Sequence, residues 1–129
     1  MLHVIHDHIT LGPNNENEAL RWIKDAMRAG NFTESVHLRR DRYSDPERAT
    51  LPDIRMAIRK ATRIEPYTNE PPRHGGTAWR VLGPNLDETK VLAVGVEAYT
   101  REGTEIPGIR IKFVELATVI DIGKAYEKR

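Results

Sequence analysis

Hydrophobic side chains change their spacing part-way along this chain, and that change limits the fold more than any other feature. After the turn at Gly12-Pro13-Asn14-Asn15, residues Ala19, Leu20, Trp22, Ile23, Ala26 and Met27 recur at three- and four-residue steps. That is the period of an amphipathic helix. Glu16 and Glu18 fall in its first turn, where they complement the helix dipole, and Gly30-Asn31 ends it. A second helical start stands at Thr50-Leu51-Pro52-Asp53, a threonine N-cap with proline in the first turn and an acidic residue three past the cap. Beyond residue 64 the pattern changes to short runs rich in β-branched residues: 64–68, 77–82, 90–99 and 109–120. Turn-forming stretches, among them Gly83-Pro84-Asn85, separate them. Gly95, inside the third run, predicts a bulge or a close backbone approach. In the last run Ile109, Ile111, Phe113 and Glu115 alternate against Arg110, Lys112 and Val114. Helices first and hairpin-linked strands afterwards predict an α+β domain, with two N-terminal helices packed on one face of a twisted antiparallel sheet of about four strands.

Length and composition set the outer bounds. With 129 residues, 39% of them hydrophobic, the chain suits a single domain over 1–129 with one modest core. No apolar run approaches the roughly 20 residues of a membrane helix, so no membrane partner is expected. The start MLHVIHDHIT lacks the basic flank and apolar stretch of a secretory signal. With no cysteine, the chain cannot form a disulfide scaffold, a thiol nucleophile or a cysteine-ligated metal site. A reducing cytoplasm is the expected compartment.

The net charge of +1 argues against a globally basic nucleic-acid binder, but the charges are unevenly placed. Residues 1–36 carry a net −2, residues 37–64 a net +4 and residues 65–129 a net −1. The basic middle is almost all arginine, whose planar fork matches phosphate or carboxylate better than lysine does. In the second helix Leu51, Ile54, Ala57, Ile58 and Ala61 line one side. Arg55, Arg59 and Arg63, at steps of four, line another. The period predicts a buried aliphatic stripe and an exposed arginine stripe that binds phosphate or an acidic partner.

Three groups of residues are candidates for chemistry. His3, His6 and His8 with Asp7 have imidazoles suited to zinc or nickel, but neither a strand nor a helix brings all three to one face, and no metal site is assigned. The segment Glu34-Ser35-Val36-His37-Leu38-Arg39-Arg40-Asp41-Arg42-Tyr43 is the stronger candidate. If it is extended, Ser35, His37 and Arg39 share one face while Val36 and Leu38 face the core. Histidine titrates near neutrality, and neighbouring arginines both disfavour its proton and neutralise phosphate oxygens. On the strands, Tyr67, Trp79, Arg80, Tyr99 and Arg101 interleave aromatic faces with cations, as surfaces for unstacked bases do, although Trp79 and Tyr99 serve a core equally well. Phosphate-loop, dinucleotide-binding, zinc-protease and hydrolase-elbow motifs are all missing from the sequence.

Ser35-x-His37 followed by arginines, then Ile64-Glu65-Pro66-Tyr67, Trp79-Arg80-Val81-Leu82-Gly83 and a valine-rich strand, resemble a small bacterial domain of unknown function. That domain is similar to the RelE and BrnT toxins and is grouped with the barnase–EndoU–colicin–RelE ribonuclease-like fold. The likeness covers about residues 33–120, and the first 30 residues, with their single helix, stand outside it. It implies metal-independent RNA cleavage without a cofactor: His37 as base or acid, Arg40 or Arg42 as phosphate clamp, and Arg80 or Tyr99 as a second contact. Arg39, Arg55, Arg59, Arg63 and Trp79 are the residues expected on RNA. A second expectation is a non-catalytic interaction module, a toxin regulator or immunity-type protein, whose arginine face meets an acidic, antitoxin-like protein. A third is a metal or small-molecule site at the N-terminal histidines.

Overall fold

A computed structural model describes residues 12–36, 38–39, 50–68, 76–100 and 106–117. Helix α1 spans Glu16–Ala29. The Asn15 side chain caps it by accepting the Glu18 N–H at 2.8 Å. At the other end Gly30 takes the left-handed conformation (φ 77°) that glycine adopts without strain. The Gly30 and Asn31 N–H groups return to the carbonyls of Met27 and Ala26. Helix α2 spans Leu51–Lys60 and begins with the expected capping box, in which Thr50 and Asp53 bond each other's backbone N–H. Such a cap is worth about 1 kcal/mol. Asp53 also accepts the Leu86 N–H at 2.9 Å, which ties the start of α2 to a turn between two strands.

The sheet has five strands in the order β1-β5-β4-β3-β2: β1 Phe32–Glu34, β2 Arg63–Pro66, β3 Thr77–Pro84, β4 Val91–Thr100 and β5 Pro107–Leu116. Strands β2 to β5 are antiparallel neighbours, as the turn-separated runs predict. The expected four-stranded antiparallel sheet needs correction, because β1 adds a fifth strand parallel to β5. Phe32-Thr33-Glu34 has no alternation long enough to read as a strand. It is extended because the chain leaving α1 is laid along the edge of β5, with the Ile109 N–H on the Asn31 carbonyl and the Ser35 N–H on the Ile111 carbonyl.

Both helices cover the same face, α1 over β5 and α2 over β3 and β4. The core between them holds Ala19, Ile23, Ala26 and Met27 of α1, Ile54, Ala57 and Ile58 of α2, and the inward residues of the strands. At Gly83 the helix touches the sheet directly: a Cβ there would lie 2.0 Å from the Ala57 carbonyl oxygen. Of the two alternatives read for Gly95, the structure has the bulge, while the close neighbour is a side-chain ring rather than backbone. The ladder slips between Gly95 and Val96, whose partners are Phe113 and Ile111, so Lys112 is the extra residue of a bulge. Beyond the bulge every side chain changes face. The simple alternation therefore fails in β5: Ile109, Ile111 and Val114 enter the core, while the Phe113 ring turns to the other face and lies on Gly95.

Candidate functional site

Helix α1 contributes cations that the sequence reading left out. Arg21, Lys24 and Arg28 follow one another at steps of three and four and so share one face of α1. That face meets Arg55 and Arg59 of α2 across an open groove of about 950 Å³. Leu20 is the half-buried apolar residue of the lining, Met27 and Ile58 lie beneath it in the core, and Asn17 and Asp25 complete the lining. Among the described residues five cations thus face one carboxylate, and that carboxylate is bonded to Arg28. Among the described residues Arg21, Lys24, Arg55 and Arg59 have no carboxylate within ion-pair distance. The Arg55 guanidinium lies over the Phe32 ring, 5.2 Å from its centroid, so an aromatic face from β1 backs one wall of the groove. Burial pulls the Lys24 ammonium below its ordinary value. An anion entering the groove relieves that desolvation cost and gains several charge-assisted hydrogen bonds.

The arginine stripe is corrected in one member. Arg55 and Arg59 are exposed on α2, and Ile54, Ala57, Ile58 and Ala61 are buried, as the helical period predicts. Arg63 is not on the helix. Ala61 already has extended backbone (φ −62°, ψ 133°), and Arg63 opens β2 opposite Leu82. Pairing with β3 captures this β-branched segment, Thr62 to Ile64, before the helical period can carry on. Ile64 enters the core, so Arg63 turns to the sheet face away from the helices and away from the groove, where its Nε is buried without a hydrogen-bond partner among the described residues.

Trp79 takes the core place that its sequence reading left open: it is 5% exposed, and its indole N–H donates to the Thr77 hydroxyl at 2.7 Å. Arg80 lies on the outer sheet face between two carboxylates, 3.0 Å from Glu65 and 3.6 Å from Glu115. That is a structural ion pair with a side chain only 14% exposed. Tyr99 alternates with the buried Ala98 and so belongs to the outer face as well, away from the groove. Tyr67 packs on Phe113 there, with ring centroids 5.1 Å apart. Glu97 is fully buried on the same face, in register with Ala78 and Arg110.

The extended reading of residues 35–38 does not hold. Val36, Leu38 and Arg39 have helical backbone, because the Ser35 side chain caps a turn: its Oγ accepts the Leu38 N–H at 3.0 Å and donates to the Lys112 carbonyl at 2.9 Å. Val36 is consequently exposed and Leu38 buried. Arg39 is exposed and lies outside the groove lining. His37, Arg40, Arg42 and Arg101 lie outside the described residues, as do His3, His6 and His8. Among the described residues no group of three or more His, Cys, Asp or Glu side chains is placed to hold a metal ion. No helix among them is long and apolar enough to cross a membrane. No protein-family model matches the chain, and no curated protein matches it.

The groove was partly visible in the sequence. Its α2 wall is the arginine stripe, while its α1 wall sits in a segment of net negative charge. The net charge of residues 1–36 hid it, because two of the three acidic residues of α1, Glu16 and Glu18, sit in its first turn, and Asp7 and Glu34 lie outside the helix. Reading the spacing of Arg21, Lys24 and Arg28 would have revealed it.

Proposed function

We propose that the protein is an RNA-binding domain whose α1–α2 groove holds the phosphate backbone. The observation that carries this reading is the convergence of Arg21, Lys24, Arg28, Arg55 and Arg59 on one groove where, among the described residues, the single carboxylate is already paired. Four of the five are arginines, whose forks suit phosphate oxygens. Binding is favoured over cleavage as the principal activity. Cleavage by the route the resemblance implies needs His37 to move a proton to or from the ribose and Arg40 or Arg42 to clamp the phosphate. Arg80 and Tyr99, its other expected members, lie on the opposite sheet face from the groove, and Arg80 is held by two glutamates.

The test is fluorescence anisotropy with a labelled 12-nucleotide RNA, in EDTA, across 20–200 mM salt. Five phosphate contacts on a single strand give a slope of log affinity against log salt of about −3.5. Replacing Arg55 and Arg59 by glutamine reduces that slope in magnitude by about 1.4. Because both side chains are exposed, stability stays within about 0.5 kcal/mol. No binding at 20 mM salt, or an unchanged slope in the double variant, refutes the proposal. Binding of a labelled acidic polypeptide, with no binding of RNA, would instead identify an acidic protein as the partner.

A further inference from the structure

We infer that Arg55 is a base-stacking platform, so that the groove selects unpaired nucleotides. This rests on the phosphate-binding reading of the same groove and adds which chemical group each wall takes. A groove meant only for phosphates needs cations, yet this one also carries the half-buried apolar side chain of Leu20 beneath its cationic rim. It also contains one cation unlike the others. The Arg55 guanidinium rests over the Phe32 ring, while Arg21, Lys24 and Arg59 have no ring contact among the described residues. A planar cation beside an aromatic ring is restrained by it, and the guanidinium face turned to the groove is a stacking surface for a second π-system. Nucleobases stack on arginine planes as they do on aromatic side chains.

The division of labour follows from the lining. Arg21, Lys24, Arg28 and Arg59 take phosphate oxygens along the rim, and the edge of the Arg55 guanidinium takes a fifth while its plane faces a base. A base turned inward lies between the Arg55 plane and Leu20. Such a base must be unpaired, because in a duplex the base faces are stacked on one another and closed to side chains. A duplex therefore meets only the rim charges. Phe32, half-buried at the edge of the core, is the positioning residue that holds Arg55.

The experiment compares wild type with Arg55→Lys, which keeps the charge and removes the plane, on three probes: a 12-nucleotide single-stranded RNA, the same sequence as a duplex, and inorganic polyphosphate. Wild type is expected to bind the single strand at least about tenfold more tightly than the duplex, the scale of one base stack. Arg55→Lys should lose about tenfold on the single strand, with its salt slope unchanged, and almost nothing on duplex or polyphosphate. Phe32→Leu should shift single-strand affinity in the same direction, with thermal melting used to check that it is folded. Equal binding of single strand and duplex by wild type overturns the inference, and so does full single-strand affinity in Arg55→Lys. Binding to polyphosphate with those results leaves the phosphate groove standing, whereas no binding to any of the three probes removes that reading as well.

Discussion

The seating of α2 on the sheet depends on one missing side chain, and Gly83→Ala tests it. A Cβ at position 83 would lie 2.0 Å from the Ala57 carbonyl oxygen, with the Ala57 carbonyl carbon at 2.7 Å and its Cα at 2.9 Å. All three neighbours are backbone, so no side chain can swing aside. The helix must retreat by about 1.4 Å to reach ordinary contact. A gap of that size removes half or more of the packing under Ile54 and Ile58, both fully buried, and each isoleucine contributes about 1.5–3 kcal/mol. The expected loss is therefore about 2–3 kcal/mol, near the upper end for an overpacked core. With a urea slope of about 2 kcal/mol/M, the midpoint followed by tryptophan fluorescence falls by about 1–1.5 M at unchanged slope. Gly95→Ala is the control. Its Cβ would also come within 2.0 Å of a neighbour, but that neighbour is the edge of the Phe113 ring, which can rotate away from Tyr67. The cost there is about 1 kcal/mol, the scale of one aromatic pair. A Gly83→Ala loss under about 0.5 kcal/mol, or one smaller than that of Gly95→Ala, would refute the direct helix-on-strand contact.

Burial raises the Asp53 carboxyl, but hydrogen bonds from the Thr50 N–H and hydroxyl and the Leu86 N–H, with the charge of Lys90, outweigh it and hold the group below its ordinary value. Its folded value is thus below its unfolded one, so its stabilisation is complete above the ordinary carboxylate range and is lost as pH falls through and below that range. Urea midpoints measured against pH should show this acid-side loss in wild type and a flatter profile in Asp53→Asn. Arg80→Ala leaves Glu65 without its near cation on a largely covered surface and should cost about 2 kcal/mol, while Arg80→Met, which refills the volume, should cost less. Trp79→Phe should lower stability by about 1–2 kcal/mol through lost packing and the lost bond to Thr77, with RNA anisotropy unchanged. Weakened RNA binding with stability intact would return Trp79 to the interface.

Local chemistry was legible wherever a few neighbouring residues determine the outcome. Asn15, Gly30 and the Thr50–Asp53 box end or begin their helices in any context, because they satisfy backbone groups of their own turn. The aliphatic stripe of α2 is buried and Arg55 and Arg59 are exposed for the same reason: a period of 3.6 leaves the two sets no other arrangement. Whatever depended on a distant partner was not legible. Phe32–Glu34 is a strand only because β5 offers an open edge, and Arg63 leaves the helical stripe because β3 captures it. Phe113 is outside the core only because a bulge at Lys112 reverses the alternation. The groove belongs to this second class. No stretch of sequence contains both of its walls, and the cations of α1 and α2 become one surface only when the two helices pack side by side on the same face of the sheet. Capping, periodicity and turn chemistry act over a handful of residues, whereas strand pairing, bulges and interhelical grooves are settled by contacts between segments far apart in the chain.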